Sequence, residues 1–355
     1  MRFLSRPRLP TALASLALLV AAACSGSTRG VSPPPPGTDL GSIADGGSSD
    51  TGIEPAVDLG GLDLGPADLG SVAVGSPDAV GPYAVTMSAA TVGGSGVTVF
   101  EPTLPAGVRV PVAIFLPGFQ LTVSQYAPIC ERLASHGVIV VGVDGTGGFS
   151  PDHVMLRDAA IAALDWALST APSAAHSDGS RVLVFGHSLG GKLATMMAAA
   201  DARVTALLGI DPVNGGGGPG MGYSASRPDI VPDSVAPLTI PVGFLGETTN
   251  GAGGFMPCAP TAENFDTFYT AATSTVWAAK WNFIGADHMD FVADTTGCLA
   301  CGFCTAGTAD PVTVVRDTTT IVVAFTQRHL LGDASAEAWL TGTSLPLGIA
   351  VSSRP

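Results

Sequence analysis

The feature that most constrains the fold of this 355-residue chain is a short apolar run that breaks into a glycine-containing turn. Residues 182–185 read as a buried strand, Gly-His-Ser-Leu-Gly follows at 186–190, and a helical pattern occupies 193–200. Strand, tight turn and helix in this order are the context of a nucleophile elbow, whose strained turn exposes a serine hydroxyl. The pattern predicts Ser188 as a nucleophile. The N–H of Leu189, at a helix N-terminus, is then placed to stabilise an oxyanion.

From Tyr83 onward, strand patterns alternate with helical patterns. Apolar runs such as 138–143 are typical of strands buried on both faces, whereas 152–169 repeats its apolar residues at helical spacing. The predicted strands are 97–100, 110–116, 138–143, 182–185, 204–210, 240–245 and 277–284, and the predicted helices are 125–135, 152–169, 193–200 and 312–331. This alternation predicts an α/β fold with a mostly parallel central sheet and helices on both faces. Ligands are then expected at the carboxyl ends of the strands.

The first 24 residues read as an export signal. Three arginines at positions 2, 6 and 8 precede the apolar segment 12–23, which is too short for a membrane span. Ala-Ala-Ala-Cys at 21–24 resembles a bacterial lipobox. It predicts lipidation of Cys24 and an N-terminal lipid anchor that holds the protein at the membrane of the cell envelope. Secretion, with cleavage near the same small residues, is the alternative.

Residues 25–80 are predicted to form a disordered tether. Four prolines at 33–36 favour an extended segment, and Asp-Leu-Gly recurs between Asp39 and Gly70 among Gly, Ser and Pro. Such a segment has too little apolar surface to offset the cost of ordering, which leaves 81–355 as the folded domain. The net charge of −14 and the absence of a basic stripe argue against nucleic acid as a partner.

A serine nucleophile in this fold needs an acid and then a histidine base, both after later strands. His288 follows the last predicted strand and is the expected base, because the other histidines precede the nucleophile, adjoin it or lie in the last predicted helix. Two acids compete. Asp211 ends the strand 204–210, and Glu247 follows the strand 240–245. The residues alone leave this choice open.

Several separated motifs between about 110 and 305 make the chain resemble chlorophyllase. They are Phe-Leu-Pro-Gly-Phe at 115–119, Gly-His-Ser-Leu-Gly-Gly-Lys at 186–192, Gly-Ile-Asp-Pro-Val at 209–213, Pro-Cys-Ala-Pro at 257–260 and Asp-His-Met-Asp at 287–290. The resemblance implies an α/β-hydrolase fold and assigns Asp211 as the acid, with Glu247 as the alternative. It also implies an oxyanion hole formed by the N–H groups of Phe119 and Leu189. Polyester hydrolases and cutinases share the fold and the Pro-Gly-aromatic loop.

The combined prediction is a serine carboxylic-ester hydrolase that forms an acyl-enzyme and needs no metal or cofactor. A hydrophobic ester is the expected substrate, because apolar side chains lie on or near the motif loops, namely Phe119, Leu121, Met221, Tyr223, Phe255 and Met289. The alternatives are a lipase- or cutinase-like polyester hydrolase and a non-catalytic surface binding lipoprotein on the same scaffold.

Five cysteines follow Cys24. Export to an oxidising compartment favours disulfides among Cys258, Cys298, Cys301 and Cys304 over a metal site, although the spacing does not determine their pairing. Cys130, in the predicted helix 125–135, is expected to be the buried, unpaired cysteine.

Overall fold

The computed structural model describes residues 73–355, except 146–147, 216–221, 253–256 and 299. The predicted export signal, Cys24 and most of the tether lie outside the described residues. No helix in the described part of the chain is long and apolar enough to cross a membrane. The segment just ahead of position 81 packs on the domain, because Gln327 Nε2 donates to the Gly75 carbonyl and His136 Nε2 lies 3.0 Å from the Ala79 carbonyl.

The described residues form one nine-stranded sheet in the order β1-β2-β4-β3-β5-β6-β7-β8-β9. The six strands from β3 to β8 run parallel, while β1, β2 and β9 pair antiparallel at the two edges. The strands are β1 (Val85–Val92), β2 (Ser95–Pro102), β3 (Val110–Leu116), β4 (Ile139–Val143), β5 (Ser177–His187), β6 (Val204–Ile210), β7 (Val242–Gly246), β8 (Ala278–Phe283) and β9 (Ile349–Arg354).

Helices cover both faces of the sheet and produce two separate apolar cores. The helices are α1 (Ala127–Ser135), α2 (His153–Ser169), α3 (Leu189–Ala200), α4 (Phe265–Ala271), α5 (Pro311–His329) and α6 (Glu337–Leu340), with short 3-10 helices at Val123–Tyr126, Pro172–His176, His288–Phe291, Ala300–Phe303 and Ala334–Ala336. Helices α2, α3 and α4 pack on one face, and α1, α5 and α6 pack on the other. This is the predicted α/β-hydrolase architecture.

Strands β3 and β4 are buried along their whole length, which explains why the sequence shows them as unbroken apolar runs. Four of the numbered elements, β1, β9, α4 and the four-residue helix α6, have no counterpart among the predictions. Strands β1 and β9 are mostly exposed edge strands rich in Ser, Thr and Ala, so they lack an apolar signal. Helix α4 has only seven residues, too few to show a helical period.

The expected disulfides are present. Cys258 pairs with Cys304 and Cys298 pairs with Cys301, while Cys130 is the one free thiol among the described cysteines and is buried as predicted. The Cys258–Cys304 bond joins the segment between β7 and α4 to the segment between β8 and α5, which also carries His288.

The two disulfides should differ in their effect on stability. Removing Cys258–Cys304, which spans 46 residues, is expected to lower the free energy of unfolding by about 4 kcal/mol through the entropy of the unfolded chain. Removing Cys298–Cys301, which spans only 3 residues, should cost about 2 kcal/mol or less and serves as the matched control. Denaturant unfolding of the two Cys→Ala double variants measures both, and equal losses would contradict the loop-length argument.

Candidate active site

Ser188 lies in the tight turn between β5 and α3, where its backbone adopts φ 55° and ψ −120°. Its N–H donates to the Ile210 carbonyl at 2.9 Å, which ties the turn to the end of β6. A Cβ at Gly186 would lie 2.5 Å from the Leu116 carbonyl oxygen, and a Cβ at Gly190 would collide with that same oxygen. Both glycines are therefore required for β3 to approach the turn. Helix α3 begins directly at Leu189, four residues earlier than the apolar spacing indicated.

His288 follows β8 and opens a short 3-10 helix. Its Nε2 lies 2.9 Å from Ser188 Oγ, and its Nδ1 lies 2.6 Å from Asp211 Oδ2. The preceding residue fixes the loop, because the Asp287 carboxylate accepts hydrogen bonds from the N–H groups of Met289 and Gly307. The imidazole is therefore held between a hydroxyl and a carboxylate, with only 5 % of the residue exposed.

Asp211 follows β6 and is fully buried. Its backbone has φ 41°, and its N–H donates to the Leu245 carbonyl at 2.8 Å. Burial raises the pKa of its carboxyl above the usual range, and the hydrogen bond with His288 acts in the opposite direction. Oδ2 contacts His288, whereas Oδ1 is buried without a hydrogen-bond partner among the described residues.

Glu247, the alternative acid, follows β7 and is also fully buried. Its Oε2 accepts the N–H of Asn250 at 2.9 Å, and its Oε1 has no partner within the described part of the chain. Burial, reinforced by the charge of Asp211, raises the pKa of Glu247 to about 7. Of the two acids that the sequence left open, the structure places Asp211 in contact with the His288 ring.

The loop after β3 carries the other predicted group. Leu116 and Pro117 abut the glycines of the elbow, and Phe119 follows Pro117 by two residues. Among the described residues, the backbone N–H groups of Phe119 and Leu189 donate to no acceptor. Both donors are therefore free for a ligand. The neighbouring Gln120 has φ 59°.

Backbone strain is concentrated around this site. Among the residues that the structure describes, three non-glycine residues have positive φ, namely Gln120, Ser188 and Asp211. A positive φ is costly for a residue with a side chain and persists only where the surrounding structure imposes it. All three residues lie just after the carboxyl ends of parallel strands, where the chain turns sharply. Gln120 follows β3, Ser188 follows β5 and Asp211 follows β6.

A series of buried hydrogen bonds links the loop after β3 to the backbone of His288, and the sequence did not predict it. The Gly118 N–H donates to Tyr126 Oη at 3.3 Å, Tyr126 Oη lies 2.7 Å from His187 Nδ1, and His187 Nε2 lies 3.0 Å from the His288 carbonyl. Burial lowers the pKa of His187 well below its usual value, so the ring is neutral. With Nε2 donating and Nδ1 accepting, every link is satisfied. This series connects the loop of Phe119 to the backbone of His288.

Tyr126→Phe should test this series of hydrogen bonds. Loss of the hydroxyl leaves the Gly118 N–H and His187 Nδ1 buried without partners, and should lower the free energy of unfolding by about 1–3 kcal/mol. Tyr83→Phe is the matched control, because among the described residues its hydroxyl accepts one hydrogen bond, from the Ala73 N–H at the start of the described chain. Denaturant unfolding and kcat/KM are the measurements. If Tyr126→Phe changed neither the free energy of unfolding nor kcat/KM, these hydrogen bonds would contribute to neither stability nor activity.

Lys192, in α3, is a second feature that the sequence did not reveal. Its side chain is fully buried, and Nζ donates to the carbonyls of Asn214 and Gly215 at 2.8 and 3.0 Å. Burial lowers its pKa to about 8. These bonds fasten the segment that follows Asp211 to the helix that follows Ser188.

An apolar cavity of about 280 Å³ opens beside the Phe119 loop. Its walls include Phe119 and Leu121, as the sequence indicated, together with Leu156, Leu189 and Leu193. Of the other apolar residues expected near the site, Met289 packs against the core and Tyr223 donates to Glu263 outside the cavity lining. Met221 and Phe255 lie outside the described residues.

Sequence comparison with known proteins identifies relatives of this chain. The family model described as Chlorophyllase matches residues 76–343. Chlorophyllase-1 of Arabidopsis thaliana is 31% identical over 248 residues, which cover 63% of this chain and 73% of the relative. A bis(hydroxyethyl) terephthalate hydrolase of Streptomyces coelicolor is 27% identical over 201 residues, or 57% of each chain. Cutinase est2 of Thermobifida alba is 35% identical over 98 residues, or 27% of this chain and 32% of the relative.

Proposed function

Because this chain belongs to the chlorophyllase family, whose relatives here are ester hydrolases, we propose that it cleaves hydrophobic carboxylic esters through a Ser188–His288–Asp211 triad. The observation that carries the proposal is the continuous set of hydrogen bonds from Ser188 Oγ through both ring nitrogens of His288 to Asp211 Oδ2. Nucleophile, base and orienting acid stand in the order and contacts that such a mechanism requires.

Acylation begins when Ser188 Oγ attacks the ester carbonyl carbon and His288 Nε2 takes its proton. The imidazolium that forms is stabilised by Asp211, which holds Nδ1–H and so fixes the tautomer. His288 then protonates the leaving alcohol as the tetrahedral intermediate collapses to an acyl-enzyme. Water, deprotonated by the same imidazole, attacks the acyl carbonyl and releases the acid.

We assign the oxyanion to the N–H groups of Phe119 and Leu189, neither of which has an acceptor among the described residues. Removing one such donor from an oxyanion hole typically costs about 3 kcal/mol of transition-state stabilisation. Helix α3 adds to this effect, because its N-terminus lies at Leu189 and carries the positive end of the helix dipole. Strands β3 and β5 thus each supply one side of the hole.

A hydrophobic substrate is supported by the lining of the cavity next to the oxyanion donors. At about 280 Å³ it lies at the small end of ligand sites, so it holds one apolar part of the ester while the remainder lies outside. We expect kcat/KM on p-nitrophenyl esters to rise with acyl length until the cavity is filled and then to level off. Preference for acetylated sugars would contradict the apolar site while leaving the triad in place.

Polyester-type hydrolysis is the second candidate, favoured by the similarity to the terephthalate hydrolase and the cutinase. Comparing kcat/KM on chlorophyll, on bis(2-hydroxyethyl) terephthalate and on the best p-nitrophenyl ester separates the two. A preference for chlorophyll supports the chlorophyllase-like assignment, and a preference for the terephthalate ester supports the polyester assignment.

The cellular setting is part of the proposal. Two disulfides are consistent with an exported protein. We place Cys24 as a lipid-modified residue that anchors the domain, taken as 81–355, to a membrane of the cell envelope through the 25–80 tether. Cys24→Ser should shift the protein from the membrane fraction to the soluble fraction, and unchanged membrane association would contradict the anchor.

A further inference from the structure

Two buried carboxyl groups lie side by side behind the His288 ring. One carboxylate oxygen of Asp211, one of Glu247 and a ring nitrogen of His288 all lie within 4.8 Å of one another. Asp211 and Glu247 are both fully buried. They come from neighbouring parallel strands, β6 and β7, which end at the same edge of the sheet.

Each carboxyl group has one satisfied oxygen and one buried oxygen without a partner. Asp211 Oδ2 contacts His288 Nδ1, and Glu247 Oε2 accepts the Asn250 N–H. Asp211 Oδ1 and Glu247 Oε1 have no partner among the described residues. Buried polar atoms are nearly always paired, and two adjacent buried carboxylates cannot both be charged without a large penalty. A proton on one of the two carboxyl groups would remove one of the charges and supply a donor for an unpartnered oxygen.

Resting on the triad assigned above, we propose that Glu247 is a neutral carboxylic acid whose Oε1–H donates to Asp211 Oδ1 and thereby holds Oδ2 against His288. Glu247 is therefore a positioning residue, because it acts on the reaction only through Asp211. With Oδ1 held, the Asp211 carboxylate cannot rotate away from Nδ1–H when the imidazolium forms.

The surroundings decide which of the two acids keeps the proton. Asp211 contacts His288, the group that becomes positive during the reaction, and this contact favours its charged form. The backbone N–H of Glu247 also favours the charged form of Asp211. Glu247 has no hydrogen bond from His288 and is favoured as an anion by the N–H of Asn250, by the charge of His288 and by the N–H of Thr249. The remaining charged group near the pair is Asp287, which acts on Asp211 from the β8 loop. From helix α4, the apolar ring of Phe265 packs against Gly246, the residue before Glu247.

This arrangement predicts a specific dependence on pH. The pKa of Glu247, raised by burial to about 7, places loss of its proton within the working range of an esterase. Ionised Glu247 no longer donates to Asp211 and adds a second negative charge beside it. The anchoring of Asp211 should therefore weaken as the pH rises through about 7.

Three variants test whether Glu247 acts as a hydrogen-bond donor to Asp211 or only fills space. Glu247→Gln keeps a donor, the amide N–H, that cannot ionise, whereas Glu247→Leu has similar bulk and no donor. Glu131→Gln, on the exposed face of α1, removes a glutamate far from any role assigned above and is the matched control. Circular dichroism and thermal unfolding establish that each variant is folded before its activity is compared.

We expect Glu247→Gln to keep kcat/KM on a p-nitrophenyl ester within a few-fold of wild type at pH 6.5. We expect Glu247→Leu to lose about 10- to 100-fold in kcat/KM, the range found when a hydrogen-bond partner that orients a metal-binding side chain is removed. The ratio of kcat/KM for Glu247→Gln to that of wild type should rise as the pH passes through 7. A ratio that stays constant from pH 5.5 to 9 would overturn the proposal, as would equal losses for the Gln and Leu variants.

Two readouts are independent of catalysis, so they separate failure of this inference from failure of the proposed function. The infrared difference spectrum between wild type and Glu247→Gln should contain a protonated carboxyl band at pH 6, and a carboxylate band there would overturn the inference. The free energy of unfolding of wild type should fall relative to Glu247→Gln between pH 4.5 and 7. In that window the unfolded chain has lost the Glu247 proton and the folded chain still holds it.

A bound metal ion is another way to satisfy the same oxygens, since two carboxylates and an imidazole are also ligands for divalent cations. Activity that is lost on treatment with EDTA and restored by a divalent cation would overturn the shared proton. Activity indifferent to EDTA, together with the protonated carboxyl band, would support it. If the protein hydrolyses no ester and yet shows that band, the proposed function fails while the shared proton stands.

Discussion

Ser188→Ala should lower kcat for p-nitrophenyl ester hydrolysis by about 10⁶-fold, the loss typical of removing a triad nucleophile. The fold should survive, because the substitution removes only a hydroxyl and leaves the backbone N–H bonded to the Ile210 carbonyl. Equal thermal unfolding of the two proteins is the control. A variant that kept more than about one hundredth of the wild-type rate would show that another group performs the attack.

Asp211→Asn should lower kcat by about 10⁴-fold, because an amide facing Nδ1 stabilises the wrong imidazole tautomer. Glu247→Gln is the matched comparison, since it neutralises the other buried acid at the end of the adjacent strand and should cost far less. Steady-state kinetics of the two variants on one ester measure the difference. If Glu247→Gln were the more damaging, the acid would be Glu247, and the assignment drawn from the Gly-Ile-Asp-Pro motif would be wrong.

The centre of the fold could be predicted from sequence because burial on both faces leaves a direct signature. The strands β3 and β4 are unbroken apolar runs, and the helices α2 and α5 are long enough to show their period. At the edges this signature is absent. The outer faces of β1 and β9 are in solvent, so Ser, Thr and Arg are accepted there and no apolar alternation remains.

Local chemistry and chain order were sufficient to select Ser188 and His288. The acid could not be chosen in this way, because Asp211 and Glu247 both follow buried strands that lie side by side. Only the resemblance to chlorophyllase favoured Asp211, and the contact between its Oδ2 and His288 Nδ1 agrees with that choice. The two acids lie at the same edge of the sheet, which is why spacing alone does not separate them.

The roles of His187 and Lys192 depend on contacts between residues that are distant in sequence. His187 bonds to Tyr126, 61 residues away, and to the backbone of His288, 101 residues away. Lys192 reaches carbonyls that follow Asp211. Cysteine pairing is hidden for the same reason, because Cys258 meets Cys304 only when the segments that follow β7 and β8 come together.

The most direct test of Ser188 as the nucleophile of an esterase is covalent labelling of the purified protein with a fluorophosphonate, followed by mass spectrometry of the labelled peptide. We expect one equivalent of label on Ser188, slower labelling of Asp211→Asn and none of Ser188→Ala, together with turnover of short p-nitrophenyl esters by wild type. An unlabelled Ser188 in a protein that hydrolyses no ester would contradict this assignment and would favour a binding protein built on a hydrolase scaffold.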